Sequence, residues 1–390
     1  MKHFPLVTCL FLGGMFGCGD GCAKKAEPAP AAAPEAERKV EAPAAAAPAE
    51  KVADVLPQPA GGARLYVSNE DTGDVSIIDL AAHAEIARVP VGKRPRALKL
   101  SADRRLLFVA LSGSPKQGPD SPERDLPPAD HAADGVAVID LAEARVLRKL
   151  ASGADPEQFD LATDAKHVYV TNEEDARVSI VDVASGKIVG TVKVSGEPEG
   201  IGVDPRGTLA YVTSETDNSV DVVDMTKRAR VAQAKTGLRP RSVLVAPDGS
   251  RAFISNELGA SVTVIDGATH KVEATVALAS PGARPMGMAL SRDGARLFVT
   301  TGRGKTVAEV DVASAKVTRT FDAGGTRPWG ITVSPDGKTL YTANGPSNDV
   351  SAIDIETGKV THRIVVGGSP WGVALAEAPP STSDAAVQER

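Results

Sequence analysis

Apolar positions in this chain fall in short runs rich in valine and isoleucine, which alternate with polar residues at period two and stop at turn residues. Gly330-Ile331-Thr332-Val333 leads into Pro335-Asp336-Gly337, where glycine supplies the positive φ of a tight turn. Thr339 to Ala343 then predicts a second strand, and Val350-Ser351-Ala352-Ile353-Asp354 a third. A further turn at Glu356-Thr357-Gly358-Lys359 leads to a fourth, Val360 to Val366. Such runs are too short and too β-branched for helix, so the pattern predicts a unit of four antiparallel strands.

The unit recurs. Its second strand carries a phrase found seven times: Tyr66-Val67-Ser68-Asn69, Phe108-Val109-Ala110-Leu111, Tyr169-Val170-Thr171-Asn172, Tyr211-Val212-Thr213-Ser214, Phe253-Ile254-Ser255-Asn256, Phe298-Val299-Thr300-Thr301 and Tyr341-Thr342-Ala343-Asn344. A proline sits thirteen residues before six of them, at Pro95, Pro156, Pro198, Pro240, Pro285 and Pro328. An aspartate sits thirteen residues after six, at Asp79, Asp182, Asp224, Asp266, Asp311 and Asp354. In the second copy Asp140 arrives nineteen residues late, which marks an insertion spanning 112–134. The phrases are otherwise 42 to 45 residues apart, a period typical of propeller blades and solenoid units.

The ends decide between those two. Pro370 to Leu375 reads as a first strand with no blade after it, and Arg64 to Asn69 as a second strand with none before it. Pairing them closes a ring and removes the open sheet edges. The expected fold is therefore an all-β, seven-bladed β-propeller over residues 61–376, its first blade shared by both ends of the chain. With its YVTN-like phrase, V-x-x-I-D strand and G-x-P-x-G lead-in, the unit resembles the YVTN-type β-propeller repeat family. That resemblance implies fold and says little of function, because such repeats serve unrelated roles.

Outside the repeats the composition changes. Lys2 followed by an apolar stretch from Phe4 to Gly17 has the layout of a secretory signal over residues 1–17 and is too short for a stable membrane span. Met15-Phe16-Gly17-Cys18 resembles the bacterial lipobox, which implies a lipid on Cys18 and attachment to a membrane; the alternative is ordinary signal cleavage near Gly17, leaving Cys18 and Cys22 as free thiols. Residues 18–60 are almost wholly Ala, Pro, Glu and Lys and predict a disordered tether, and residues 377–390 a disordered tail. No cysteine lies in the blades, so ring closure rests on pairing and packing. A net charge of −6 offers no general field for nucleic acid.

What recurs in every copy is architecture. The aspartates read as turn pins, and Asn69, Asn172, Asn256 and Asn344 as structural too. Individual chemistry must lie where copies differ, around the prolines, whose loops are expected to surround one mouth of the axial channel. Going round from the first blade, the residues before the proline are Ser369, Arg94, Asp155, Glu197, Arg239, Arg284 and Arg327. Those after it are Trp371, Arg96, Glu157, Glu199, Arg241, Met286 and Trp329.

The expected mouth is polarised. Arg94, Arg96, Arg239, Arg241, Arg284, Arg327, Trp329 and Trp371 form the candidate ligand-binding set, able to stack a planar group and grip an anion. Arg96 with Glu157, Glu199 with Arg241, and Lys99 with Asp160 also read as inter-blade ion pairs. Glu70, Glu173, Glu215 and Glu257 follow the phrase on the same face. They offer oxygens for calcium, but neutralisation by the facing arginines is the expected use, and no metal is assigned.

The insertion lies on this face with His131, which shows no orienting partner in sequence. His83, His270, His167 and His362 are expected to face away, the first two in turns before the fourth strand and His167 in the turn between strands one and two. No nucleophile elbow, covalent haem motif or phosphate loop is present, so neither a catalytic residue nor a cofactor is assigned. The leading expectation is a cell-envelope lipoprotein whose propeller is a non-catalytic platform for an envelope protein, peptide or glycan. The alternative is a periplasmic lactonase-like or redox-accessory enzyme with a metal or cofactor at the mouth.

Overall fold

In the computed structural model, residues 62–116 and 126–377 are described. The sequence-predicted signal, lipid-bearing Cys18, tether, central insertion residues and all but the first residue of the tail lie outside them. Within them, seven four-stranded antiparallel sheets are arranged radially. Their innermost strands neighbour one another in a closed cycle. The first sheet is completed by the last strand: Pro370–Ala376 pairs with Arg64–Asn69, with Leu65 opposite Leu375 and Arg64 opposite Ala376. This is the seven-bladed propeller that the repeat predicts, with the expected closure.

Period-two alternation does not separate core from solvent here. Second strands are buried on both faces, as in Arg64–Asn69, and successive residues serve opposite seams. Leu65 and Val67 pack with Tyr341 and Ala343 of the seventh blade, whereas Tyr66 packs with Leu98 and Val109 of the second. Only outermost strands, such as Ile188–Lys193, expose one face. Each fully buried Val, Leu or Ile contributes roughly 1.5–3 kcal/mol.

The recurrent polar residues do the expected structural work. Asp79 Oδ1 accepts the N–H groups of Ala81 and Ala82, and Asp266 Oδ1 those of Ala268 and Thr269. Asn69 Nδ2 donates to Asp74 and Ser76, and Asn256 Nδ2 to Ser261 and Thr263, all between neighbouring strands of one blade.

Three further devices aim residues at the mouth. The residue before the proline adopts left-handed backbone in six blades, with φ of 42° at Arg94, 48° at Asp155 and Glu197, 53° at Arg239, 52° at Arg327 and 56° at Ser369. That conformation costs a non-glycine residue roughly 1–2 kcal/mol. The hydroxyl ending the Tyr-Val-Thr part of the phrase reaches into the next blade: Ser68 donates to the Arg96 carbonyl at 2.5 Å, Thr171 to Glu199 at 2.6 Å, Ser255 to Met286 at 2.7 Å and Thr300 to Trp329 at 2.7 Å. Finally, the glycine two residues after the proline lets inner strands converge. A Cβ on Gly330 would sit 2.6 Å from the Trp371 carbonyl oxygen, and one on Gly372 2.7 Å from that of Arg96.

Candidate functional site at the mouth of the ring

These devices place seven of the eight candidate residues around two adjoining basins. The larger, about 650 Å³, is lined by Arg94, Arg96, Arg239 and Arg241 against Asp155, Glu157, Glu173, Glu174, Glu197 and Glu199, four cations facing six carboxylates among the described residues. The smaller, about 190 Å³, is lined by Arg94, Arg96, Lys116, Arg239, Arg241 and Arg327 against Glu70 and Glu257, six facing two. Met286, Trp329 and Trp371 complete its wall. The polarity read from the sequence is thus a real division of the mouth, with the four shared arginines forming the ridge between its halves.

Arg284 is the exception and lines neither basin. The sixth blade has an inner strand of only three residues, Met288–Leu290, and Arg284 lacks the left-handed conformation of its counterparts. Spacing to the phrase is conserved there while the backbone path is not.

Ion pairs occupy most of the ridge. Arg96 pairs with Glu157, and Arg241 with Glu199 and Glu215, all buried. Arg239 lies 2.8 Å from Glu215 and 3.4 Å from Glu257, and Arg94 lies 3.0 Å from Glu70. Outside the basins, Lys99 and Asp160 meet at 2.8 Å. Burial works against the Arg96 charge, but Glu157, Glu199 and Glu70 outweigh it and hold the guanidinium firmly protonated. Burial likewise opposes ionisation of Glu70 and Glu215, and the neighbouring arginines reverse it, leaving both below the usual carboxylate range.

Glu173 is different. Among the described residues no arginine pairs with it, and burial, reinforced by Glu157, Asp155 and Glu215, pushes its carboxyl up to about 9. The oxygens of Asp155, Glu157 and Glu173 lie within 4.8 Å of one another, the one set among the described residues close enough to hold a cation. Three protein oxygens are fewer than calcium takes, so water or ligand would have to supply the rest. With Glu173 holding its proton at neutral pH, this cluster places an acid beside two further carboxyl groups.

Each tryptophan is already capped by a guanidinium: Arg96 stands 5.1 Å from the Trp371 ring centre and Arg327 5.2 Å from that of Trp329. The two indoles meet edge to face, 6.1 Å apart at 71°. They are walls with one face already taken by an arginine.

The described ends of the insertion border the larger basin through Ser114, Pro115, Leu126, Pro127 and Ala129. Lys116 reaches Glu70 at 2.9 Å and Asp71 at 2.5 Å, and Lys93 holds Asp130 at 2.6 Å. Asp134 accepts the Gly113 N–H at 2.7 Å and the Asp155 N–H at 3.1 Å. His131 does have partners: its Nδ1 lies 2.9 Å from Asp134 and its Nε2 3.4 Å from Glu174. The Asp134 hydrogen bond, with Glu174 beside it, raises its pKa. His167 opens the second strand of its blade rather than sitting in a turn, and His83 stacks on His362 at 3.5 Å between the first and seventh blades.

Two family models match in tandem, one described as a choice-of-anchor I domain over residues 63–231 and one as a seven-bladed β-propeller lactonase over residues 225–370. No curated protein sequence matches. Among solved structures, the periplasmic gluconolactonase of Pseudomonas aeruginosa is similar with a TM-score of 0.65 and 21% identity, covering 81% of this chain and 99% of that one. Hydrazine synthase of Kuenenia stuttgartiensis gives 0.59 at 21% identity, covering 71% and 88%. A functionally unknown protein from Desulfotomaculum acetoxidans gives 0.66 at 15% identity, covering 81% and 99%. At these identities the likeness is one of fold.

Proposed function

We propose that the larger basin is the active site of a cell-envelope hydrolase acting on small, polyhydroxylated lactones. The observation that carries this reading is the convergence of Asp155, Glu157 and Glu173, with Glu173 protonated at neutral pH and paired to no cation among the described residues. The lactonase family model and the fold shared with a gluconolactonase support the reaction class. Glu157 is engaged by Arg96, which leaves Asp155 as the acceptor. Asp155 takes a proton from a water whose oxygen attacks the lactone carbonyl. Glu173 gives its proton to the ring oxygen as the carbon–oxygen bond breaks, and the hydroxy acid leaves. Arg94 and Arg239, the more exposed ridge arginines, bring positive charge to the developing oxyanion.

The envelope setting belongs to the same proposal and is supported by Lys2, the apolar stretch after it and Cys18. Purified protein offered glucono-δ-lactone in a pH-stat is expected to consume base above the uncatalysed rate. Glu173→Gln should lower kcat by about 10²–10⁴ with the far-ultraviolet circular dichroism unchanged. Absence of turnover by the wild type would overturn the enzymatic reading. Saturable binding without turnover would return the mouth to the ligand platform expected from the sequence.

A further inference from the structure

We propose that the smaller basin is an anion subsite, in which Arg327 receives a carboxylate or phosphate group carried by the ligand. This deepens the lactone reading and rests on it for the remainder of that ligand.

Charge comes first. Both carboxylates of this basin are already engaged, Glu70 by Arg94 at 3.0 Å and Lys116 at 2.9 Å, Glu257 by Arg239 at 3.4 Å and Arg241 at 3.8 Å. The other five cations lining this basin therefore spend their charge on these or on neighbouring glutamates, whereas Arg327 has no carboxylate within ion-pairing distance among the described residues. Its Nε is buried without a hydrogen-bond partner. A half-buried guanidinium in that condition lacks the acceptors that its donors require.

Geometry agrees. Stacking against Trp329 uses the flat face of the guanidinium and leaves its in-plane N–H edge for an acceptor, the arrangement that suits a two-oxygen group. Burial and the nearby Arg303 both disfavour the Arg327 charge, so an incoming anion relieves an existing repulsion as well as forming new hydrogen bonds. A volume of about 190 Å³ holds a single oxyanion with a few attached carbons and excludes a folded partner or a peptide chain. Because the ridge arginines border both basins, a ligand anchored here by its acidic group extends directly toward Asp155 and Glu173.

Both tryptophans of the chain wall this basin, so intrinsic fluorescence reports its occupancy independently of hydrolysis. The full chain is titrated with sodium phosphate and with sodium gluconate, using sodium chloride at matched ionic strength and neutral glucose as references. A saturable change with either oxyanion, weakened about tenfold or more in Arg327→Gln and less in Arg327→Lys, supports the proposal. A response to phosphate alone identifies a phosphate group, and a response to gluconate a carboxylate. The response should persist in Glu173→Gln, so loss of turnover and loss of anion binding are separable. A signal no larger than that of chloride, or one that Arg327→Gln leaves intact while its melting temperature is normal, overturns it.

Discussion

Replacing Glu173 by glutamine should make the protein more stable at neutral pH, although it removes the proposed acid. In the unfolded chain this carboxyl ionises near its ordinary 4.5, and in the folded protein near 9, so between those values the folded state holds a proton that the unfolded state has lost. Stability due to this group is therefore greatest below pH 4.5 and falls as pH rises toward 9. Each pH step costs about 1.4 kcal/mol, which puts the ceiling at pH 7 near 3 kcal/mol. Partial exposure of the side chain reduces this to about 1–2 kcal/mol. Glutamine keeps the shape and never needs the proton. At about 2 °C per kcal/mol for a chain of this size, Glu173→Gln should melt a few degrees higher at pH 7.5, and the difference should vanish near pH 4.5. Calorimetric scans of both proteins across that range provide the assay. Equal or lower stability of the variant at pH 7.5, with parallel pH profiles, would show that Glu173 is ionised in the fold and that the acid–base reading is unsound.

Gly330→Ala should lose about 1–3 kcal/mol in denaturant unfolding, because its Cβ would meet backbone of the neighbouring blade at 2.6 Å and 3.0 Å with no flexible side chain to yield; an unchanged midpoint would refute the close-approach account. Burial and the stacked His362 lower the His83 pKa below 6.5, so their contribution is complete above that value and is lost as pH falls through it. His362→Gln should accordingly flatten the decline in melting temperature between pH 7 and 5.5, by well under about 1 kcal/mol in so exposed a pair. Cys18→Ala should abolish incorporation of labelled palmitate and move the protein from the membrane to the soluble fraction, as followed by fractionation of the native host.

The ring was legible because prolines and aspartates at fixed distance from the phrase set the register of every strand, and the unmatched strands at the two ends could complete only each other. Arg96–Glu157, Arg241–Glu199 and Lys99–Asp160 followed from equal position in adjacent blades. Arg284, which lines neither basin, shows the limit of that logic: a backbone detour in the sixth blade leaves spacing untouched. Glu173 was grouped with Glu70, Glu215 and Glu257 as a carboxylate neutralised by arginine. Glu70 meets the arginine before the proline of the next blade, as does Glu215, but at that place after Glu173 stands Glu197. That exception was present in the sequence, although its proximity to Asp155 and Glu157 depends on the left-handed turn at Asp155, which no residue type announces.

Because residues 370–376 finish the sheet begun by residues 64–69, the ring cannot close until the last of its strands has been synthesised. Both Trp371 and the lock on the first blade arrive in that final stretch. A nascent or prematurely terminated polypeptide would present a raw strand border and an unfinished aperture together, so any truncation that spoils the aperture also leaves an unpaired edge.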